Sequence, residues 1–156
     1  MSLPQPNASI DQLLELDNQL CFALYAASRT VVRAYAERLS AFSLTYPQYL
    51  VLLVLWEWDR TAPERQTVRA LGERLDLDSG TLTPLLRRLE AKGLVTRQRG
   101  RADERELCIA VTSDGRALKS QISEIPRQML STAPLTVDEL VDLRERLNRL
   151  RSGVAA

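Results

Sequence analysis

Apolar residues recur every three or four positions along most of the chain, a spacing that predicts helices. From about Ile10 to Leu39 one long helix is expected. It carries Leu13, Leu16, Leu20 and Leu24 on one stripe and Leu14, Cys21, Tyr25 and Ser28 on a second. A helix apolar on two sides needs two packing partners, which for a terminal helix points to a subunit interface. Thr45 stands as an N-cap, with Pro47 in the first turn of a helix that runs through Trp58. A short helix follows from about Thr67 to Leu75, turning Val68, Leu71 and Leu75 inward. Asp78-Ser79 opens the next, which carries Leu82, Leu85, Leu86 and Leu89 and stops at Lys92-Gly93. Pro84 lies inside that helix, where it costs a backbone hydrogen bond.

The period then shortens to two. Leu94–Gln98 and Glu106–Val111 read as short strands joined by the polar turn from Arg99 to Arg105. On the second strand, Cys108 and Ala110 alternate with Ile109 and Val111, so Cys108 is expected to pack structurally. Ser113-Asp114-Gly115 begins a further helix, bent or ended near Pro126. Thr136 caps a last one, in which Leu140, Leu143, Leu147 and Leu150 step as in a coiled-coil seam. The expected fold is mainly α with a small β hairpin, a winged helix-turn-helix. One domain covers residues 1–156, with a DNA-binding lobe over 45–112 and dimerisation helices over 9–44 and 113–152.

Composition changes this picture little. A chain of 156 residues suits one domain, and 21 Lys and Arg against 20 Asp and Glu leave a net charge of +1, with no bulk basicity. Local charge says more. Between Asp78 and Arg105, Arg87, Arg88, Lys92, Arg97, Arg99, Arg101 and Arg105 outnumber Asp78, Glu90, Asp103 and Glu104. There is no histidine, and two cysteines, Cys21 and Cys108, show no pairing pattern. No zinc ligand set and no cofactor are therefore expected, and the setting is expected to be reducing and cytoplasmic. The N-terminus lacks the layout of a secretory signal, and the longest apolar run, Tyr49 to Trp56, is too short to span a bilayer.

In a winged helix-turn-helix the second helix enters the major groove by its N-terminal half. There stand Ser79, Thr81 and Thr83, hydroxyls able to reach phosphates or base edges, with backbone N–H groups that favour an anion. Arg87 and Arg88 lie further along for backbone or guanine contacts. The hairpin turn offers Arg99, Arg101 and Arg105 to the minor groove, and Asp103 could orient Arg105. The expected partner is double-stranded DNA with a pseudo-palindromic operator, bound by a homodimer.

The stretch Leu71-Gly72-Glu73-Arg74-Leu75 through Asp78-Ser79-Gly80-Thr81-Leu82-Thr83-Pro84 to Lys92-Gly93-Leu94-Val95 resembles the MarR family of dimeric repressors. Asp103-Glu104-Arg105 followed by Val111-Thr112-Ser113-Asp114-Gly115 is similar to that family's wing and exit. Leu16-Asp17-Asn18-Gln19-Leu20-Cys21-Phe22-Ala23-Leu24-Tyr25 with Leu44-Thr45-Tyr46-Pro47-Gln48 resembles one branch, the organic-hydroperoxide sensors called OhrR. The likeness runs from about residue 10 to 150.

A lone cysteine on an apolar helix ordinarily packs as a small hydrophobe. The resemblance gives Cys21 another role, as a redox sensor whose thiolate accepts hydrogen bonds from Tyr35 and Tyr46 across the dimer. Along one helix Tyr35 lies roughly 21 Å from Cys21, so the pairing requires a second subunit. Phe22, Tyr25 and Trp56 would wall a site for the organic hydroperoxide. Oxidation to a sulfenic acid and condensation with a thiol would then release the operator. Residues 121–134 hold no late cysteine, so a small external thiol is the expected partner. Two alternatives remain at this point: a repressor released by a non-covalent aromatic acid, and a thiol peroxidase. The second needs a recycling route for which the chain has neither a resolving pair nor a histidine, so no enzyme is expected.

Overall fold

Thr45 and Gln48 form a reciprocal capping box, with the Thr45 N–H donating to Gln48 Oε1 at 3.0 Å, and the chain turns into helix there. The computed structural model describes residues 9–100 and 106–154. In chain order these form α1 (Ile10–Leu14), α2 (Leu20–Leu39), α3 (Tyr46–Thr61), α4 (Val68–Leu75) and α5 (Ser79–Ala91). The strands β1 (Val95–Arg99) and β2 (Leu107–Val111) follow, then α6 (Ser113–Ile122), α7 (Glu124–Ser131) and α8 (Val137–Val154). This is the expected winged helix-turn-helix, mainly α with one antiparallel hairpin. No single described helix is long and apolar enough to cross a membrane.

The chain forms two compact units, one up to Ser120 and one from Gln121 onward. In the first, α3 is the central helix. It buries Tyr49, Val51, Leu52, Val54, Leu55, Trp56 and Trp58 and touches α2, α4, α5 and β2. Leu71 of α4 and Leu82, Leu86 and Leu89 of α5 complete this core. In the hairpin Val95 pairs with Val111 and Arg99 with Leu107, while Val95, Ile109 and Val111 face inward as the alternation predicts. The segment before α4 joins the other edge of β2: Ile109 N–H donates to Gln66 O at 2.9 Å.

Two expected helices differ from the structure. The pattern from Ile10 to Leu39 is not one helix: it breaks at Glu15, passes through a 3₁₀ turn at Leu16–Asn18 and resumes at Leu20. The cause is local competition. Asn18 Nδ2 donates to Gln12 O and Glu15 Oε2, both at 2.9 Å, and Gln19 Nε2 donates to Leu13 O and Glu15 O. Side-chain amides thus take carbonyls that a continuous helix would use, and the stripe from Leu13 through Leu24 does not exist as one face. The helix after Ser113, expected to bend or end near Pro126, ends four residues earlier at Ile122. Pro126 falls in the first turn of α7, where its missing N–H costs nothing.

The N-terminus of α6 is held from two sides. Trp56 Nε1 donates to Gly115 O at 2.8 Å, a buried bond, and the Arg116 guanidinium grips the Asp59 carboxylate at 2.7–2.9 Å. Toward the hairpin, Thr112 N–H donates to Leu94 O and its hydroxyl to Gly93 O. A Cβ on Gly115 would stand 2.3 Å from Leu94 O. Gly115→Ala is therefore expected to cost about 1–3 kcal/mol, lowering Tm by at least ~3 °C in a calorimetric scan. Gly153→Ala, at an α8 site with no atom within 4 Å, is expected to leave Tm unchanged or slightly higher.

Candidate functional site

Cys21 stands in the first turn of α2, a placement created by the break at Gln19. It is exposed, and among the described residues its Sγ has one hydrogen-bond neighbour, Gln19 Oε1 at 4.0 Å. The α2 N-cap residue makes no side-chain bond to the first-turn N–H groups. Around it Leu20, Phe22 and Tyr25 are exposed as well, so this end of α2 has an uncovered apolar surface. Tyr25 is braced by Arg29, whose Nη1 donates to the phenol oxygen at 2.7 Å.

Tyr35, on the same helix, faces α3. Its ring centroid lies 5.1 Å from that of Tyr46 and 5.7 Å from that of Tyr49, and Tyr49 in turn meets Trp56 edge-on at 6.5 Å. The fold therefore brings the two expected thiol-activating tyrosines side by side and adds a third, Tyr49, which in the sequence stands out only as the start of the longest apolar run. Spacing held the signal: Tyr46 and Tyr49 are three apart on one helix and share a face. Burial pushes all three phenols above their ordinary value of 10.0, Tyr49 to about 12, with the neighbouring phenols adding to the effect on Tyr35 and Tyr49. The hydroxyls thus remain protonated donors at neutral pH. Trp56 is buried with its indole N–H committed to Gly115, which makes it core rather than the wall of an open site.

The other end of the unit is the helix pair α4–α5 with its hairpin. Thr67 caps α4, accepting from Ala70 N–H at 3.1 Å. Asp78 caps α5, accepting from Thr81 N–H at 2.8 Å and from the Thr81 hydroxyl at 3.0 Å. These bonds hold its carboxyl below the ordinary carboxylate range. The anion-favouring N–H position expected at this helix end is thus occupied by the protein's own carboxylate. Ser79, Thr81, Arg87, Arg88 and Arg99 are exposed, and Thr83 is half-buried with its hydroxyl donating to Ser79 O at 2.7 Å. Two cations of the basic run are engaged: Arg97 pairs with Glu90, and Lys92 Nζ donates to Ser43 O. Asp103 and Arg105, with Arg101, lie outside the described residues. Cys108, half-buried on β2, bridges to Thr67 and lines a cavity of about 440 Å³ with Gln66, Gln98 and Ile109.

Residues 33–122 match the family model of the transcriptional regulator SarA/Rot. An organic hydroperoxide resistance transcriptional regulator of Bacillus subtilis (strain 168) is 45% identical over 137 residues, covering 88% of this chain and 90% of that protein. This chain belongs to the SarA/Rot family of transcriptional regulators. The regulator is also 48% identical over 146 residues to the HTH-type transcriptional regulator TtmR of Methylorubrum extorquens (strain PA1), covering 94% of this chain and 72% of that one. Among solved structures, reduced AbfR bound to DNA aligns at a TM-score of 0.75 and 37% identity, covering 94% of this chain and 99% of that one. AbfR, from Staphylococcus epidermidis, has also been solved with a disulfide formed, at a TM-score of 0.62 and 38% identity. The regulator is a DNA-binding protein of this MarR-like family.

The tyrosine cluster sets an alkaline limit. A phenol raised above 10.0 in the folded chain keeps a proton that the unfolded chain releases. Its contribution to stability is fully present below pH 10.0 and disappears as pH rises toward about 12. Spectrophotometric titration is expected to show a last phenolate step near 12 that Tyr49→Phe removes. A wild-type profile complete by pH 10.5 would contradict the burial of this cluster.

Proposed function

We propose that this regulator is a repressor that senses organic hydroperoxides by oxidation of Cys21 and then releases its operator. The observation that carries this reading is the adjacency of Tyr35 and Tyr46, two protonated phenols 5.1 Å apart, on a chain that also exposes Cys21 on an uncovered apolar helix end. Within one chain the thiol and the phenols are separated by four turns of α2. A two-fold partner that covers the exposed faces of α1 and α2 brings each Cys21 to the other chain's tyrosines. In the second unit, taken by itself, α8 leaves Val137, Val141, Leu143 and Leu147 exposed, a further apolar face open to a subunit contact.

In the proposed chemistry the Cys21 thiolate accepts hydrogen bonds from the two partner phenols and attacks the distal oxygen of the hydroperoxide. The S–O bond forms, the O–O bond breaks, and the alkoxide leaves as an alcohol after taking a proton. Sulfur is oxidised and the peroxide reduced. The sulfenic acid then condenses with a low-molecular-weight thiol, giving a mixed disulfide and water. Added bulk and lost phenol bonds alter the subunit contact, and with it the spacing of the two α5 helices over half-sites one duplex turn apart. The relationship to AbfR, solved both reduced on DNA and with a disulfide formed, supports a thiol switch.

Fluorescence anisotropy on a duplex recovered by binding selection tests this reading. Stoichiometric cumene hydroperoxide with excess cysteine is expected to release the reduced wild type, while Cys21→Ser binds and is not released. Tyr35→Phe and Tyr46→Phe are each expected to slow oxidation about 10-fold or more, as loss of one hydrogen bond to a charged group implies. Full retention of DNA by the oxidised wild type would eliminate the redox reading and leave release by a bound aromatic acid. For the dimer, Leu143→Glu with Leu147→Glu is expected to shift sedimentation from two chains to one and to weaken operator binding. Unchanged mass would exclude this face as the subunit contact.

A further inference from the structure

The tip of α5 is made of hydrogen-bond acceptors. The Asp78 carboxylate is held ionised and can only accept, so the Thr81 hydroxyl, 3.0 Å from Oδ2, must spend its one proton on it. What Thr81 presents outward is a pair of oxygen lone pairs. Thr83 commits its proton to Ser79 O at 2.7 Å. Pro84 has no N–H, so the bond that residue 84 would give to the Gly80 carbonyl is missing, and that oxygen too lacks its helical donor. A Cβ at Gly80 would come 3.0 Å from Asp78 Oδ1, so the carboxylate would have to give by a few tenths of an ångström. Among the described side chains of this tip only the Ser79 hydroxyl keeps an uncommitted proton.

Such a tip is poorly suited to phosphate. An ionised carboxylate at the helix end repels the DNA backbone and occupies the N–H position that an anion would take. It suits the floor of the major groove, where cytosine N4 and adenine N6 are the exocyclic amino donors and guanine and thymine offer acceptors in their place. The exposed Arg87 and Arg88, about two turns further along α5, supply the opposite chemistry for phosphate and guanine.

We propose that the Asp78–Thr81 pair is a specificity determinant, an acceptor that selects a base bearing an exocyclic amino group at one position of each half-site. The proposal rests on α5 being the helix that enters the major groove. Selection from a randomised duplex library, followed by anisotropy on single-position variants, tests it. The wild type is expected to prefer cytosine or adenine over guanine or thymine by about 10-fold at one position per half-site, within the range of one good base contact. Thr81→Ser, which keeps the hydroxyl, is expected to retain that preference. Thr81→Val, of the same shape without the oxygen, is expected to lose it or move it toward thymine, whose methyl an isopropyl group can contact. Asp78→Asn keeps a capping oxygen but adds an amide donor, and is expected to move the preference toward guanine or thymine. Arg87→Ala is the control for the groove assignment. If it weakens binding while Thr81→Val leaves every base preference intact, the acceptor role is overturned and the placement of α5 stands. If neither substitution changes binding or preference, α5 does not read the groove and both fall.

Discussion

The close approach of α6 to the start of the hairpin constrains the first unit more than any other contact. Gly115 has no Cβ, and only for that reason can α6 begin against the Leu94 carbonyl. At that distance the Trp56 indole reaches Gly115 O, Arg116 reaches Asp59, and Thr112 ties back to Gly93 and Leu94. The exposed Arg116–Asp59 pair adds little energy, because water screens it. Its value is directional, because a bidentate guanidinium fixes an angle as well as a distance. Central helix, hairpin base and exit helix are thereby one body, and the end of α5 at Gly93 is attached to it.

That rigidity matters for a protein that must place two reading helices on one duplex. A body free to flex at the α5–β1 joint would spread its reading helices over many spacings and lose the advantage of engaging both half-sites together. The chemistry proposed for Cys21 needs the same property. A change at a subunit contact alters DNA affinity only where the intervening structure has few alternative arrangements. The apolar surface at the Cys21 end of α2 sits where oxidation could act on it, and α3 packs against both α2 and the α4–α5 pair.

Much of this was legible in the residues. Thr45, Thr67, Asp78 and Thr136 each begin a helix where a short polar side chain meets an apolar period, because capping is a local reaction between a side chain and the next three N–H groups. The hairpin alternation set Ile109 and Val111 on one face and Cys108 and Ala110 on the other, and the structure shows that the Ile109–Val111 face is the buried one. The break at Glu15–Gln19 was less visible. Leu13, Leu16, Leu20 and Leu24 keep a helical spacing, and nothing in that spacing reveals that Asn18 and Gln19 will capture the carbonyls of the preceding turn. The role of Asp78 was half visible: a cap could be read, but not that its second oxygen would take the Thr81 proton and reverse what that hydroxyl offers DNA.

The winged lobe, the basic run and most of the element order follow from the sequence by itself, because periodicity, capping and local charge act over a few residues. The candidates Cys21, Tyr35 and Tyr46 rest instead on its resemblance to a family branch. Tertiary structure alone decided which groups meet. It set Tyr35 of α2 against Tyr46 and Tyr49 of α3, withdrew Trp56 into the core, engaged Arg97 with Glu90, and left Cys21 without a phenol from its own chain. Those outcomes depend on how helices distant in sequence cross and on which side chains lose water there. No short-range rule along the chain carries that information.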